Sequence, residues 1–184
     1  MIPLYLDPSQ ARVALIGRGA LAVRRLRWLL DAGAAPDVWS DAPTFELAQA
    51  AGAVLKHGLP GLGDLAQYHA IWIADLARDE AEALAVTASS VNALVNVEDV
   101  KALCDFHTPA VVRRGKLTLA AGTGGASPAV ARAARERLEE AFPEEWAHAL
   151  DVIAKARAAL REDGADFDAL VGDARTRLAD HGLI

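Results

Sequence analysis

Arg12-Val-Ala-Leu-Ile-Gly17-Arg-Gly19-Ala-Leu-Ala22 decides how the chain is read. Residues 12–16 are almost continuously apolar, the pattern of a strand buried on both faces in a parallel sheet. Residues 20–32 carry Leu21, Leu26, Leu29 and Leu30 on a helical period. Gly17-x-Gly19-x-x-Ala22 lies between the two. The first glycine permits a tight turn, the second lets backbone approach a pyrophosphate, and the third position must be small so that the helix can lie on the sheet. The helix start then offers unpaired amides and the positive end of its dipole. This spacing predicts a dinucleotide site at Gly17 and Gly19. A tight strand-to-helix turn without a ligand is the alternative the residues leave open.

Strands are expected at 37–40, 52–55, 70–74 and 93–97, with helices at 44–51, where Thr44 is the N-cap, and at 78–87. Strands alternating with helices predict an α/β fold with a Rossmann-like parallel sheet. Asp41 ends the second strand, about 20 residues beyond the glycines, where a carboxylate accepts a ribose 2′-hydroxyl and repels a 2′-phosphate. That favours NAD over NADP, with a turn-capping Asp41 as the alternative. Arg24 and Arg25 are expected on the exposed side of the first helix.

After residue 105 the rhythm changes. Two β-rich runs, 110–114 and 116–121, flank Gly115 and predict paired strands. Gly122-Thr-Gly-Gly-Ala-Ser-Pro128 leads into a helix with Ser127 as N-cap and Pro128 at its first position. Helices at 144–160 and beyond Gly164 complete the chain. The expected domains are 1–108, a dinucleotide-binding domain; 109–142, a small β-rich segment; and 143–184, a helical domain.

The chain of 184 residues is 53% hydrophobic and 24% charged, enough for a sizeable core. Its formal charge of −6 argues against nucleic acid or an anionic membrane as main partner. One cysteine, Cys104, excludes a disulfide framework, and the five histidines show no metal-ligand spacing. No apolar run approaches the ~18 residues of a membrane span, and no signal sequence is evident, so the expected location is the cytoplasm.

Two further stretches carry a specific resemblance. One is Asn96-Val-Glu-Asp99 with Cys104-Asp-Phe and Thr108-Pro-Ala. The other is Arg114-Gly-Lys-Leu-Thr-Leu-Ala-Ala-Gly-Thr-Gly-Gly-Ala-Ser-Pro128, running on to Arg132 and Arg135. With Pro3-Leu-Tyr-Leu6 and the glycine turn, residues 1–145 resemble the precorrin-2 dehydrogenase / sirohydrochlorin ferrochelatase family of siroheme synthesis. The resemblance implies an NAD-binding domain, a central dimerisation domain and a helical domain in a homodimer. It implies oxidation of precorrin-2 to sirohydrochlorin with NAD and, in some members, insertion of Fe²⁺. It also implies that Ala20, Leu21, Asp41 and Ala42 contact NAD, that Asp99 is the catalytic carboxylate, and that Thr123 marks the position before Gly124-Gly125.

The chemistry is consistent with those residues. A carboxylate after a sheet strand can accept the proton released when a hydride leaves; the alternative is that Asp99 caps the segment at Val100. A substrate rich in carboxylates needs local cations, and Arg113, Arg114, Arg132 and Arg135, with the amides around Thr123, Gly124, Gly125 and Ser127, are the candidates. Their alternative is a solvated face paired with glutamates. His107 is a second candidate for proton transfer. Arg18 replaces a glycine usual in the family, Ala74-Asp75 is a shortened motif, and Glu98 replaces a valine. An NAD-binding regulatory module and a non-catalytic tetrapyrrole-binding protein are the rival functions.

Overall fold

Val13–Gly17 forms strand β1, with all five residues buried. Helix α1 (Ala20–Asp31), β2 (Asp37–Ser40), α2 (Phe45–Ala51), β3 (Leu55–His57), α3 (Leu62–Leu65), β4 (Ala70–Ala74), α4 (Arg78–Ser90) and β5 (Leu94–Val97) follow in order. These belong to the first of two compact units, residues 1–108 and 109–184, in a computed structural model that describes residues 1–184. The five strands pair in parallel as β3-β2-β1-β4-β5. The order reverses between β1 and β4, so the carboxyl ends of those strands flank a crevice where ligands of open α/β sheets bind.

Side-chain alternation builds two cores from the same strands. Ala14, Ile16, Ile71, Ile73, Val95 and Val97 face α3 and α4. Val13, Leu15, Val38, Trp72 and Ala74 face α1 and α2. This double burial explains why β1 and β4 read as unbroken apolar runs. Thr44 caps α2 as expected, its hydroxyl accepting from the Leu47 amide at 3.3 Å. The third strand does not begin at 52. Gly52–Val54 is a 3₁₀ turn started by Gly52 at φ +52°, and pairing begins at Leu55.

β5 is an edge strand, and the segment after it covers that edge. Asp105 donates its amide to the Val95 carbonyl and accepts the Val95 amide on its carboxylate, at 2.8 and 2.9 Å. Buried Asn96 donates to the Phe106 carbonyl at 2.8 Å. The Cys104 sulfur accepts from the Val97 amide and lies within 3.2 Å of the Val97 carbonyl. Burial pushes the Cys104 thiol up, keeping it an unreactive packing group.

In the second unit β6 (Ala110–Arg114) and β7 (Leu117–Ala121) form an antiparallel hairpin about Gly115, followed by α5 (Pro128–Ala141), α6 (Glu145–Glu162) and α7 (Phe167–Asp180). Within this unit α6 packs on the hairpin. Gly115, at φ +57°, lies so close that a Cβ there would come within 3.2 Å of Ala147, and Lys116 pairs with Asp151 at 3.4 Å.

Candidate active site

The glycine turn takes the form its sequence predicts. Gly17 ends β1 and Gly19 is the N-cap of α1. A Cβ on Gly17 would lie 2.4 Å from the Ala74 carbonyl oxygen and 2.9 Å from Ala22 Cβ. The helix therefore rests on the sheet only because positions 17 and 22 are small. Of the first amides of α1, that of Ala22 donates to Asp75 Oδ2 at 2.9 Å. Those of Ala20 and Leu21 have no acceptor within the chain and face the crevice end of the helix.

Asp75 has no counterpart in the sequence expectations. It follows β4 in a left-handed conformation, φ 57°, which turns its carboxylate across the switch point onto α1. The signal for it was the shortened Ala74-Asp75 motif, but nothing in the sequence pairs residue 75 with residue 22.

Asp41 lies past β2, as predicted, yet it is not a bare carboxylate. Arg18 Nε and Nη2 donate to its two oxygens, each at 2.8 Å. The same guanidinium donates to both oxygens of Glu80 at 2.6 and 2.7 Å. Hydrogen bonds from Arg18 hold both carboxyls below the usual carboxylate range. Glu80 also accepts the Ala77 amide at 3.1 Å, closing the first turn of α4. Ala42 follows Asp41 in the exposed loop.

Arg24 and Arg25 are not both idle surface groups. Each donates to Glu98, at 2.5 Å, and the Arg25 and Glu98 side chains are both only 11% exposed. Arg25 also lies 5.4 Å from the Trp28 ring. Burial alone would raise the Glu98 pKa, but its bonds and proximity to Arg25 and Arg24 bring it below the usual value. The glutamate that departs from the family pattern thus ties the end of β5 to α1.

Beside it, Asp99 is exposed, at φ 62° in a turn closed by the Val100 amide on the Val97 carbonyl at 3.2 Å. Its carboxylate takes no part in capping the 3₁₀ turn Lys101–Leu103. Between the ends of β4 and β5 opens a pocket of about 130 Å³ lined by Ala74, Asp75, Arg78, Val97, Glu98 and Val100. Asp99 joins two of the lining residues in sequence. His107 is half-buried in the segment after the edge cover.

In the second unit, Gly124 and Gly125 both have positive φ, 66° and 74°, which explains the glycine pair. The Thr123 hydroxyl accepts the Ser127 amide at 3.2 Å, and the Ser127 hydroxyl accepts the Val130 amide at 3.3 Å. Arg132 pairs with Glu136, and Arg135 with Glu139 and Glu136, on α5. Arg113 lies half-buried on β6. Arg114, grouped by sequence with the substrate cations, is also bonded into the unit. It donates to the Phe142 carbonyl at 2.7 Å, pairs with Glu144 at 3.1 Å, and so closes the C-terminal end of α5.

Parallel strand order, a glycine turn that seats α1 on the sheet, unpaired amides at the helix start and a carboxylate after β2 together define a dinucleotide-binding Rossmann domain. These residues fit a dinucleotide: the small residues at 17 and 22 seat α1 on the sheet, and the amides of Ala20 and Leu21 at its start have no acceptor within the chain. Residues 4–110 match the family model described as "Putative NAD(P)-binding", and the chain belongs to that family. It is 35% identical over 164 residues to a siroheme synthase of Methylococcus capsulatus, covering 88% of this chain and 34% of that protein. It is 36% identical over 155 residues to a siroheme synthase of Gluconobacter oxydans, covering 77% of this chain and 32% of that protein. The chain therefore spans about a third of the length of these curated relatives. The solved structure of SirC, a precorrin-2 dehydrogenase, superposes with a TM-score of 0.69 at 22% identity, over 100% of both chains, and shares the fold. No helix is long and apolar enough to cross a membrane.

Proposed function

We propose that the chain is an NAD-dependent precorrin-2 dehydrogenase, oxidising precorrin-2 to sirohydrochlorin as a cytoplasmic homodimer. The observation that carries this reading is Asp99: a carboxylate exposed on a left-handed turn, at the carboxyl end of the strand that borders the β4–β5 pocket. The siroheme synthase relatives and the shared SirC fold support the same substrate.

NAD, when bound, accepts the hydride. Gly17 and Gly19 would shape the turn that takes its pyrophosphate, the amides of Ala20 and Leu21 would donate to it, and Asp41 with Ala42 would hold the adenosine ribose. Asp99 takes the proton that leaves with the hydride, so the two-electron oxidation balances as NADH and one proton. Where Fe²⁺ is then inserted, the same carboxylate, ionised again, accepts one of the two pyrrole protons the metal displaces and water takes the other. Arg113, Arg132 and Arg135 and the Thr123–Ser127 turn are the second unit's candidate groups for carboxylates of the substrate, while Arg114 holds the end of α5.

Anaerobic incubation with precorrin-2 and NAD⁺ tests the reading. NADH and the sirohydrochlorin spectrum should appear together, and added Fe²⁺ then reports whether siroheme forms. NAD binding without NADH formation would leave an NAD-binding or tetrapyrrole-binding module without catalysis.

A further inference from the structure

Arg18 occupies the middle of the glycine turn, and its guanidinium spans from the end of β2 to the first turn of α4. It carries a two-point bond to Asp41 on one side and a two-point bond to Glu80 on the other. Its side chain is 25% exposed, against 39% for Asp41 and 33% for Glu80, so the group is reachable from solvent yet held in place. Two carboxylates share one cation, leaving a net charge of −1 where the 2′-position of an adenosine ribose would approach Asp41.

An unpaired Asp41 would exclude a 2′-phosphate by repulsion alone. Here Arg18 cancels that repulsion, and an arginine free to turn would give a phosphate a planar pair of donors. What prevents this is the second carboxylate. Glu80 occupies two of the three remaining N–H donors, restores the negative balance and tethers the guanidinium toward α4. Its own position is secured by the Ala77 amide, so it does not follow the arginine outward.

We propose that Glu80 is a specificity-determining positioning residue: by holding Arg18 against Asp41 it keeps the site selective for NAD over NADP. The inference rests on the dinucleotide reading above. It assigns cofactor choice to three residues, one of them 39 positions beyond the β2 carboxylate that the fingerprint supplies.

The test is calorimetric titration of NAD⁺ and NADP⁺ into the intact protein and into Glu80→Gln and Arg18→Gln, with thermal melting of each variant. Glutamine at 80 keeps an oxygen for the Ala77 amide, so α4 retains its cap. Glu80→Gln should lower the ratio Kd(NADP)/Kd(NAD) by about tenfold, the worth of one charge-assisted bond gained by the phosphate. Arg18→Gln should raise the same ratio, because Asp41 and Glu80 then face the phosphate without a cation. A purely structural role would shift melting or weaken both dinucleotides equally. NAD binding with an unmoved ratio in both variants overturns the inference and leaves the dinucleotide reading standing. Binding of neither dinucleotide to the wild type removes both.

Discussion

Asp99 holds its left-handed backbone without any side-chain hydrogen bond, and it is the residue to which the proposed proton transfer is assigned. A capping aspartate would point its oxygens at the amides of the next turn; this one leaves them to solvent. Asp99→Asn keeps the size and the turn-forming character, since asparagine also tolerates the left-handed region. The expected result is a folded protein with unchanged NAD affinity and dehydrogenation slower by about 10²-fold, the usual contribution of a positioned base. Single-turnover NADH formation measures it, and near-normal turnover would move the proton to water or to His107. Asp41 was expected from its offset beyond the glycines and Asp99 from the family resemblance, and each does follow a strand. The partners of Asp41 could not be read from sequence, since residues 18 and 80 meet only once β1, β2 and α4 converge at the same end of the sheet.

The β1–turn–α1 unit depends on two glycines for different reasons. Gly17→Ala would drive a Cβ to 2.4 Å from a backbone carbonyl of β4, a contact that only separation of the two central strands can relieve. A loss of about 2 kcal/mol or more is expected, at the upper end of overpacking costs, read from urea denaturation. Gly19→Ala meets the Asp75 carboxylate at 2.9 Å, and a side chain can rotate away. That variant should retain most of its stability but lose the bond to the Ala22 amide, and weaken dinucleotide binding through the helix start. If the two variants are equally destabilised, the distinction between backbone and side-chain neighbours is wrong. The elements themselves were legible from periodicity and caps, as Thr44 and Ser127 show. β3 was misplaced because Gly52-Ala-Val-Leu is apolar enough for a strand, while the positive φ of Gly52 curls it into a turn.

Across the whole molecule, the Arg25–Glu98 pair is the charged contact most withdrawn from water among those joining β5 to α1. Glu98 has its carboxyl lowered in the folded state. It therefore contributes its full stabilisation above the unfolded value near 4.5 and loses it as pH falls through the lower folded value. At neutral pH, Glu98→Gln should cost about 1–3 kcal/mol, because Arg25 stays buried with its charge uncompensated. Wild type and variant should converge as the medium becomes acidic. Urea denaturation followed by tryptophan fluorescence suits the measurement, since Trp28, Trp39 and Trp72 all lie in the unit that contains the pair. A gap that persists at low pH would mean that packing, not charge, accounts for the loss.

Local rules were enough to read the α/β class, the glycine turn and the helix caps from the chain. Each depends on residues within a few positions of one another, whose spacing fixes backbone geometry directly. The dinucleotide fingerprint and the carboxylate after β2 were legible for the same reason. Which charges neutralise which was not. Arg18 with Asp41 and Glu80, Arg25 with Glu98, Asp75 with the Ala22 amide and Arg114 with the end of α5 are pairs 23 to 73 residues apart. Such pairs form because strand order and helix packing bring distant groups together, and where they are withdrawn from water, as Arg25 and Glu98 are, an ionised group without a partner is costly. Folding thereby turned two apparent surface arginines and a departure from a glycine motif into parts of the site's framework.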